Sequence, residues 1–307
     1  MSFSCTSRRG FLSLIGGGAF STAFIDGMPV ALARAATERR FVFVLQRGAM
    51  DGLAAVPPFF DRDYREQRGK LAFAEPGAPY GALDLDGRYG LNPALAPLQK
   101  MFVDRELTVF HAVATPYRSR SHFDGQDLLE NGTLSPRGAG DGWLNRAIGL
   151  FGRSDTRLGL AVGQTVPLVL RGANPVGSWA PQQLPTVEPD FMMRLAALYQ
   201  RDPLLGPAIA EGMRAQAMGE EVLGDDMKSP NALNGPRAIA TASRNVGRLL
   251  AAADGPRIAV IELGGWDTHS GQGLATGRVP TALKAMADGL VALKEGLGQA
   301  WRQTVVL

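Results

Sequence analysis

Three short segments of the sequence carry the side chains best suited to binding a metal and to nucleophilic chemistry. They hold two of the chain's three histidines, together with aspartates and a serine. Carboxylates and imidazoles bind divalent metals and transfer protons at such sites. We therefore predict that the three segments form one site. They are residues 46–52, with Asp51; residues 115–124, with Ser121 and His122; and residues 264–269, with Asp267 and His269.

The third segment, residues 264–269, has the clearest ligand pattern. Asp267 and His269 are two positions apart, so an extended backbone points both side chains to the same side. The preceding glycines, Gly264 and Gly265, allow the backbone to come close to a bound group. The pattern favours a metal-ligand pair over the alternative, a structural turn that Asp267 caps.

The metal predicted from these residues is a divalent cation with mainly oxygen ligands. The only cysteine, Cys5, lies in the N-terminal segment, so no thiol is available as a ligand near these residues. Asp51 follows a glycine-containing turn and is a candidate carboxylate ligand. A centre with few histidines and no thiol suits Ca²⁺, Mg²⁺ or Mn²⁺, or a mixed Asp/His zinc site. The alternative for Asp51 is an ordinary turn aspartate.

The second segment offers a nucleophile and anion-binding groups. Ser121 opens a predicted helix, where it is either a plain N-cap or a nucleophile placed at the positive end of the helix. Arg118 and Arg120 are predicted to hold an anionic substrate, with solvated loop arginines as the alternative. His122 and Asp124 are further candidates.

The elements that must position these segments are strands alternating with helices. Apolar, β-branched runs predict strands at residues 40–46, 107–113, 257–263 and 304–307, the second of which places His111 in the core. Alternation of this kind predicts an α/β sandwich with a mostly parallel sheet, and ligands bind beyond the carboxyl ends of such strands. Helices are predicted at residues 61–68, 93–103, 121–131, 142–151, 189–201, 203–218, 230–253 and 276–301, with 188–253 forming an insertion.

The N-terminus predicts export. Arg8 and Arg9 precede an apolar stretch, residues 11–24, and small residues at 31–35 suit a signal peptidase. The stretch is shorter than the roughly 20 residues of a membrane span, so no stable membrane anchor is expected. We therefore predict a twin-arginine signal peptide at residues 1–35, recognition by the twin-arginine translocase, and a periplasmic or secreted protein.

The charge balance excludes a nucleic-acid-binding protein. The chain has 32 basic and 29 acidic residues, and residues 1–35 hold three of the arginines and one aspartate. The remaining 29 basic and 28 acidic residues form no clustered basic face in the sequence, which polyanion binding requires.

Four separated motifs resemble one family, the secreted bacterial proteins called domain of unknown function 1501. The resemblance spans about residues 40–307, and a twin-arginine signal is also typical of the family. The motifs are Leu45-Gln-Arg-Gly-Ala-Met-Asp51-Gly-Leu53, Arg118-Ser-Arg-Ser-His122-Phe-Asp-Gly-Gln126, Gly140-Asp-Gly-Trp-Leu144 and Gly264-Gly-Trp-Asp-Thr-His269.

This resemblance implies an alkaline phosphatase-like or sulfatase-like sandwich that hydrolyses phosphoric or sulfuric esters at a metal centre. By position, Asp51 is then a metal-bridging aspartate, Ser121 the nucleophile, and Asp267 with His269 the ligands of another metal. Family members continue past residues 305–307 into further ligand motifs. We therefore expect an incomplete domain that lacks the last part of the sheet and has little or no turnover. The alternative is a non-catalytic secreted binding or assembly protein.

Overall fold

A computed structural model describes residues 38–151, 158–163, 165–180, 189–203, 205–224 and 237–307. The predicted signal peptide, residues 1–35, lies outside these residues. Among the residues that the model describes, no helix combines the length and the apolar character that crossing a membrane requires.

The centre of the protein is a parallel sheet with the strand order β5-β4-β6-β1-β7. Its central pair is in register from Phe41 opposite Ile258 to Gln46 opposite Leu263. A separate antiparallel pair is formed by β2 and β3. The strands are β1 (Arg40–Gln46), β2 (Leu83–Asp84), β3 (Gly90–Leu91), β4 (Gly159–Val162), β5 (Gly177–Trp179), β6 (Ile258–Leu263) and β7 (Thr304–Val306).

Helices flank this sheet, which confirms the predicted α/β fold. Most of the helices predicted from the sequence are present with ends shifted by a few residues. They are α1 (Gly52–Ala55), α2 (Arg62–Arg68), α3 (Ala96–Val103), α4 (His122–Asn131), α5 (Trp143–Gly149), α6 (Pro189–Tyr199), α7 (Leu205–Leu223), α8 (Ala238–Ala251) and α9 (Arg278–Leu297).

The alternation of side chains along β1 divides the core into two layers. Val42 and Val44 point to the larger layer, where α3, α8 and α9 pack, and Phe41 and Phe43 point to the smaller one. On that smaller side, the indole of Trp143 in α5 packs edge-on against Phe43, with ring centroids 5.8 Å apart. Both faces of the strand are covered, which explains its continuous apolar sequence.

Residues 107–113 do not form the predicted strand. Leu107 and Val109 do pack against the larger core, so the alternating pattern is real, but Ala112 has φ +54° and interrupts the extended run. His111 is exposed and stacks on Tyr89, with ring centroids 4.2 Å apart, so its assignment to the core was also wrong. Partial burial in this stack lowers the pKa of the His111 imidazole.

The apolar stretch of residues 158–170 is a strand only at its start. Residues 159–162 form β4, and Leu168–Leu170 forms a turn of 3₁₀ helix. Val169 and Leu170 are buried against the smaller core, so their apolar character serves packing rather than strand pairing.

Candidate functional site

The first and third segments meet because they follow neighbouring strands. The N–H of Arg47 donates to the carbonyl of Leu263 at 2.8 Å, and the N–H of Trp266 donates to the carbonyl of Arg47 at 3.3 Å. Gly48 has φ +110°, and a Cβ atom at this position would lie 2.5 Å from the backbone nitrogen of Asp267. The two loops are therefore in direct backbone contact, and a glycine is needed where they touch.

The third segment forms a loop after β6, which we call the third loop, and the side chain of Trp266 anchors it to the core. This side chain is only 2% exposed and belongs to the larger hydrophobic core. Its position places the next residue, Asp267, at the protein surface beside the end of β1.

The second segment reaches the same place through the start of α4. Ser121 caps this helix, since its Oγ accepts the N–H of Asp124 at 3.2 Å. The next side chain, His122, lies with its Nε2 3.4 Å from Oδ1 of Asp267. His269 approaches the same oxygen, with its Nε2 at 2.9 Å. The carboxylate of Asp267 therefore lies between two imidazoles, and we call these three residues the His–Asp–His cluster.

Asp51 contacts Gln272, in the segment that follows the third loop, and its carboxylate is fully engaged. Its Oδ1 accepts the N–H groups of Leu53 and Ala54 at 3.1 and 3.2 Å, which caps α1. Its Oδ2 accepts Nη2 of Arg68 at 2.6 Å and Nε2 of Gln272 at 2.5 Å. Each carboxylate oxygen therefore accepts two hydrogen bonds.

The predicted anion-binding residues lie on the loop before α4. Arg118 is folded back on its own loop, since its Nη1 donates to the carbonyls of Thr115 and Tyr117 at 2.6 and 3.1 Å. Arg120 is exposed to solvent. Asp124 accepts the hydroxyl of Tyr117 at 2.9 Å, so it stabilises this loop.

An ion cluster under the site was not predicted from the sequence. Arg47 donates through Nε to Glu262 at 2.7 Å and through Nη1 to Glu130 at 2.5 Å and Gln126 at 2.9 Å. Glu130 is 1% exposed, and its second oxygen accepts the N–H of Val169 at 3.1 Å. Burial lowers the pKa of Arg47, but the hydrogen bonds to the two glutamates outweigh burial and raise it.

This cluster ties α4 to the ends of β1 and β6. Arg47 belongs to the first motif, so its place near the site was visible in the sequence. Its partner Glu130 is one of three acidic residues in α4, and no local pattern distinguishes it from Asp124 and Asp127, which are less buried.

The hydrogen bonds of Asp51 do not fit its predicted role as a metal bridge. Asp51 bonds to a guanidinium, and among the described residues no three His, Cys, Asp or Glu side chains are arranged to hold a metal ion. The His–Asp–His cluster has ligand types that zinc accepts. Its geometry, with both imidazoles directed at one carboxylate oxygen, is that of hydrogen-bonded or ion-paired rings.

Comparison with known proteins places the chain in a family. The family model described as "Protein of unknown function (DUF1501)" matches residues 105–307, a stretch that includes the second and third segments but not Asp51. No curated protein and no solved structure matches the chain. Because the family match covers 203 of its 307 residues, the chain belongs to the DUF1501 family.

Proposed function

We propose that the site formed by the three segments binds a phosphoric or sulfuric ester, and that this chain hydrolyses the ester slowly or not at all. The observation that carries the proposal is the position of the His–Asp–His cluster at the start of α4. Two imidazoles flank the carboxylate of Asp267 beside the positive end of this helix, and Arg120 is exposed on the preceding loop.

The ester is the ligand class that these groups suit best. Imidazole and guanidinium N–H groups form charge-assisted hydrogen bonds to phosphate and sulfate oxygens. The backbone N–H groups in the first turn of a helix have no partner within the helix and point in the same direction. In α4, one of them already donates to Ser121.

Low turnover follows from the surroundings of Ser121. A serine attacks an ester only when a base removes its proton or a cation lowers its pKa. Among the described residues, the Oγ of Ser121 is hydrogen-bonded to the N–H of Asp124, and no hydrogen bond joins it to the neighbouring imidazole of His122. Asp51, the predicted metal-bridging residue, bonds to Arg68.

A second candidate function is metal-dependent hydrolysis of the same esters. It is favoured by one observation, a carboxylate that lies within 3.4 Å of two imidazoles, because Asp and His are the usual oxygen and nitrogen ligands of zinc. Zn²⁺, Mg²⁺, Mn²⁺ and Ca²⁺ are the cations to test.

The binding proposal is tested with phenylphosphonate, a phosphoric ester mimic that cannot be hydrolysed. We expect isothermal titration calorimetry to detect binding, and His122→Gln and Arg120→Gln to weaken it about tenfold or more each, because a charge-assisted bond contributes roughly 1.5–3 kcal/mol. The matched control is Arg244→Gln, which removes an exposed arginine paired with Glu295 on α9. Wild-type protein that does not bind, or variants that bind as tightly as wild type, would contradict the proposal.

Hydrolysis assays decide between ester binding with little turnover and metal-dependent hydrolysis. We expect little release of 4-nitrophenol from 4-nitrophenyl phosphate or 4-nitrophenyl sulfate, with or without each of the four cations. Robust release that depends on a cation and is lost in Asp267→Asn would establish the second candidate instead.

We also propose that the protein acts outside the cytoplasm. The support for this is the sequence of residues 1–35, in which an arginine pair precedes a short apolar stretch and an Ala-rich end.

A further inference from the structure

We propose that Arg68 is the permanent counter-ion of Asp51 and excludes divalent cations from this carboxylate. The proposal concerns the residue that the family resemblance assigns to a metal bridge. It does not depend on ester binding, because Asp51 and Arg68 are outside the His–Asp–His cluster.

The first argument for this proposal is that both carboxylate oxygens of Asp51 already accept hydrogen bonds. Two backbone N–H groups occupy Oδ1, and the guanidinium of Arg68 and the amide of Gln272 occupy Oδ2. A metal ion needs a free lone pair on at least one of these oxygens. Each bond to the carboxylate would have to be exchanged for a bond to the metal, including the charge-assisted one.

The second argument is that the positive charge of Arg68 repels a cation. A divalent cation on Oδ2 would lie within a few ångströms of the guanidinium, and like charges at that distance repel. The two side chains are only 20% and 21% exposed, so solvent screens this repulsion less than it would at the surface.

The third argument is the position of Arg68 at the end of α2. It is the last residue of α2, and its Nε is buried without a hydrogen-bond partner among the described residues. A guanidinium in this position gains its main stabilisation from Asp51, so pairing with this carboxylate accounts for its burial. We infer that the pair ties α2 to the start of α1 and, through Gln272, to the segment after the third loop.

The test measures binding of Mn²⁺ alone to the metal-free full-length protein, by the loss of the electron paramagnetic resonance signal of free Mn²⁺. We expect Asp51→Asn to bind Mn²⁺ as wild type does, within about twofold. Arg68→Met should bind about tenfold or more tightly than wild type, because it frees the carboxylate and removes the repelling charge. The double variant should return to the wild-type affinity.

The matched control is Arg65→Met, which removes an arginine from the same helix. Arg65 pairs with Glu75 and the carbonyl of Phe59, not with Asp51, so this variant should bind Mn²⁺ as wild type does.

Two results would overturn the proposal. One is Mn²⁺ binding by wild type that Asp51→Asn weakens about tenfold, since Asp51 would then be a ligand despite Arg68. The other is a folded Arg68→Met protein, checked by circular dichroism, that binds no more tightly than wild type. If Arg68→Met does not fold, the comparison of wild type with Asp51→Asn decides alone.

Discussion

At the residue scale, Gly48 determines whether the first and third loops can touch. Its φ of +110° is a conformation that residues with a side chain rarely adopt, and the space where a Cβ would lie is filled by the backbone of Asp267. The geometry of the site therefore depends on a residue that has no chemistry of its own.

We expect Gly48→Ala to lower the free energy of unfolding by about 1–3 kcal/mol, since it forces both a strained backbone and a clash with Asp267. Urea denaturation followed by circular dichroism measures this. Gly52→Ala is the control, because no atom lies within 4 Å of a Cβ built there. Equal effects of the two substitutions would show that the close contact at Gly48 has no energetic importance.

The sequence predicted part of this residue-level arrangement. Asp267 and His269 are close in the sequence, so their proximity followed from strand geometry. His122 was a candidate without a predicted partner, because its contact with Asp267 spans 145 positions. The partner of Asp51 was missed, since Arg68 ends a polar helix where arginine is an ordinary solvent-exposed residue.

At the element scale, the contacts of Arg47 hold α4 against the sheet. One guanidinium bonds to Glu262 at the end of β6 and to Glu130 near the end of α4, and Glu130 in turn accepts the N–H of Val169. Because His122 is the first residue of α4, the same contacts set its distance from Asp267.

We expect Glu130→Ala to lower the free energy of unfolding by on the order of 3 kcal/mol, because it removes a buried partner of Arg47 and leaves the N–H of Val169 unpaired. The control is Glu295→Ala, which breaks an exposed pair with Arg244 and should cost about 1 kcal/mol or less. Guanidinium chloride denaturation compares the two. A loss for Glu130→Ala no larger than the control would mean that the cluster does not stabilise the fold.

The strands were predicted best where the sheet covers both of their faces. Strands β1 and β6 have apolar runs, residues 41–45 and 258–261, because core layers lie above and below them. Residues 107–113 are also largely apolar, but only Leu107 and Val109 pack against the larger core. The positive φ of Ala112 ends the extended run. A strand needs a neighbour as well as a suitable sequence, and the neighbour is not encoded locally.

At the scale of the whole molecule, the parallel sheet brings distant segments to one edge. Strands β1 and β6 are neighbours although more than 200 residues separate them, and their carboxyl ends carry the first and third loops. This convergence was predicted from the general position of ligand sites in open α/β sheets. The salt bridge between Asp51 and Arg68 could not be predicted, because the position of α2 relative to that edge depends on packing across the fold.

Export of the whole protein gives a further prediction. Replacing Arg8 and Arg9 by lysine should keep the protein in the cytoplasm, because the export receptors recognise the arginine pair. Cell fractionation and immunoblotting of a bacterium with a twin-arginine translocase measure this. Arg34→Lys, which leaves the pair intact, should be exported normally. Normal export of the double lysine variant, or cytoplasmic wild-type protein, would contradict the signal assignment.

The buried indole of Trp266 has a consequence for how the site responds to a ligand. Since the ring is fixed in the interior, the loop that carries Asp267 has its shape before a ligand arrives, and binding then loses little conformational entropy. A ligand at the proposed site would in this sense meet a preorganised third loop. The same ring is a natural chromophore one residue from the carboxylate, so once the other three tryptophans are replaced by phenylalanine, a change in its fluorescence would report a bound ligand without any added label.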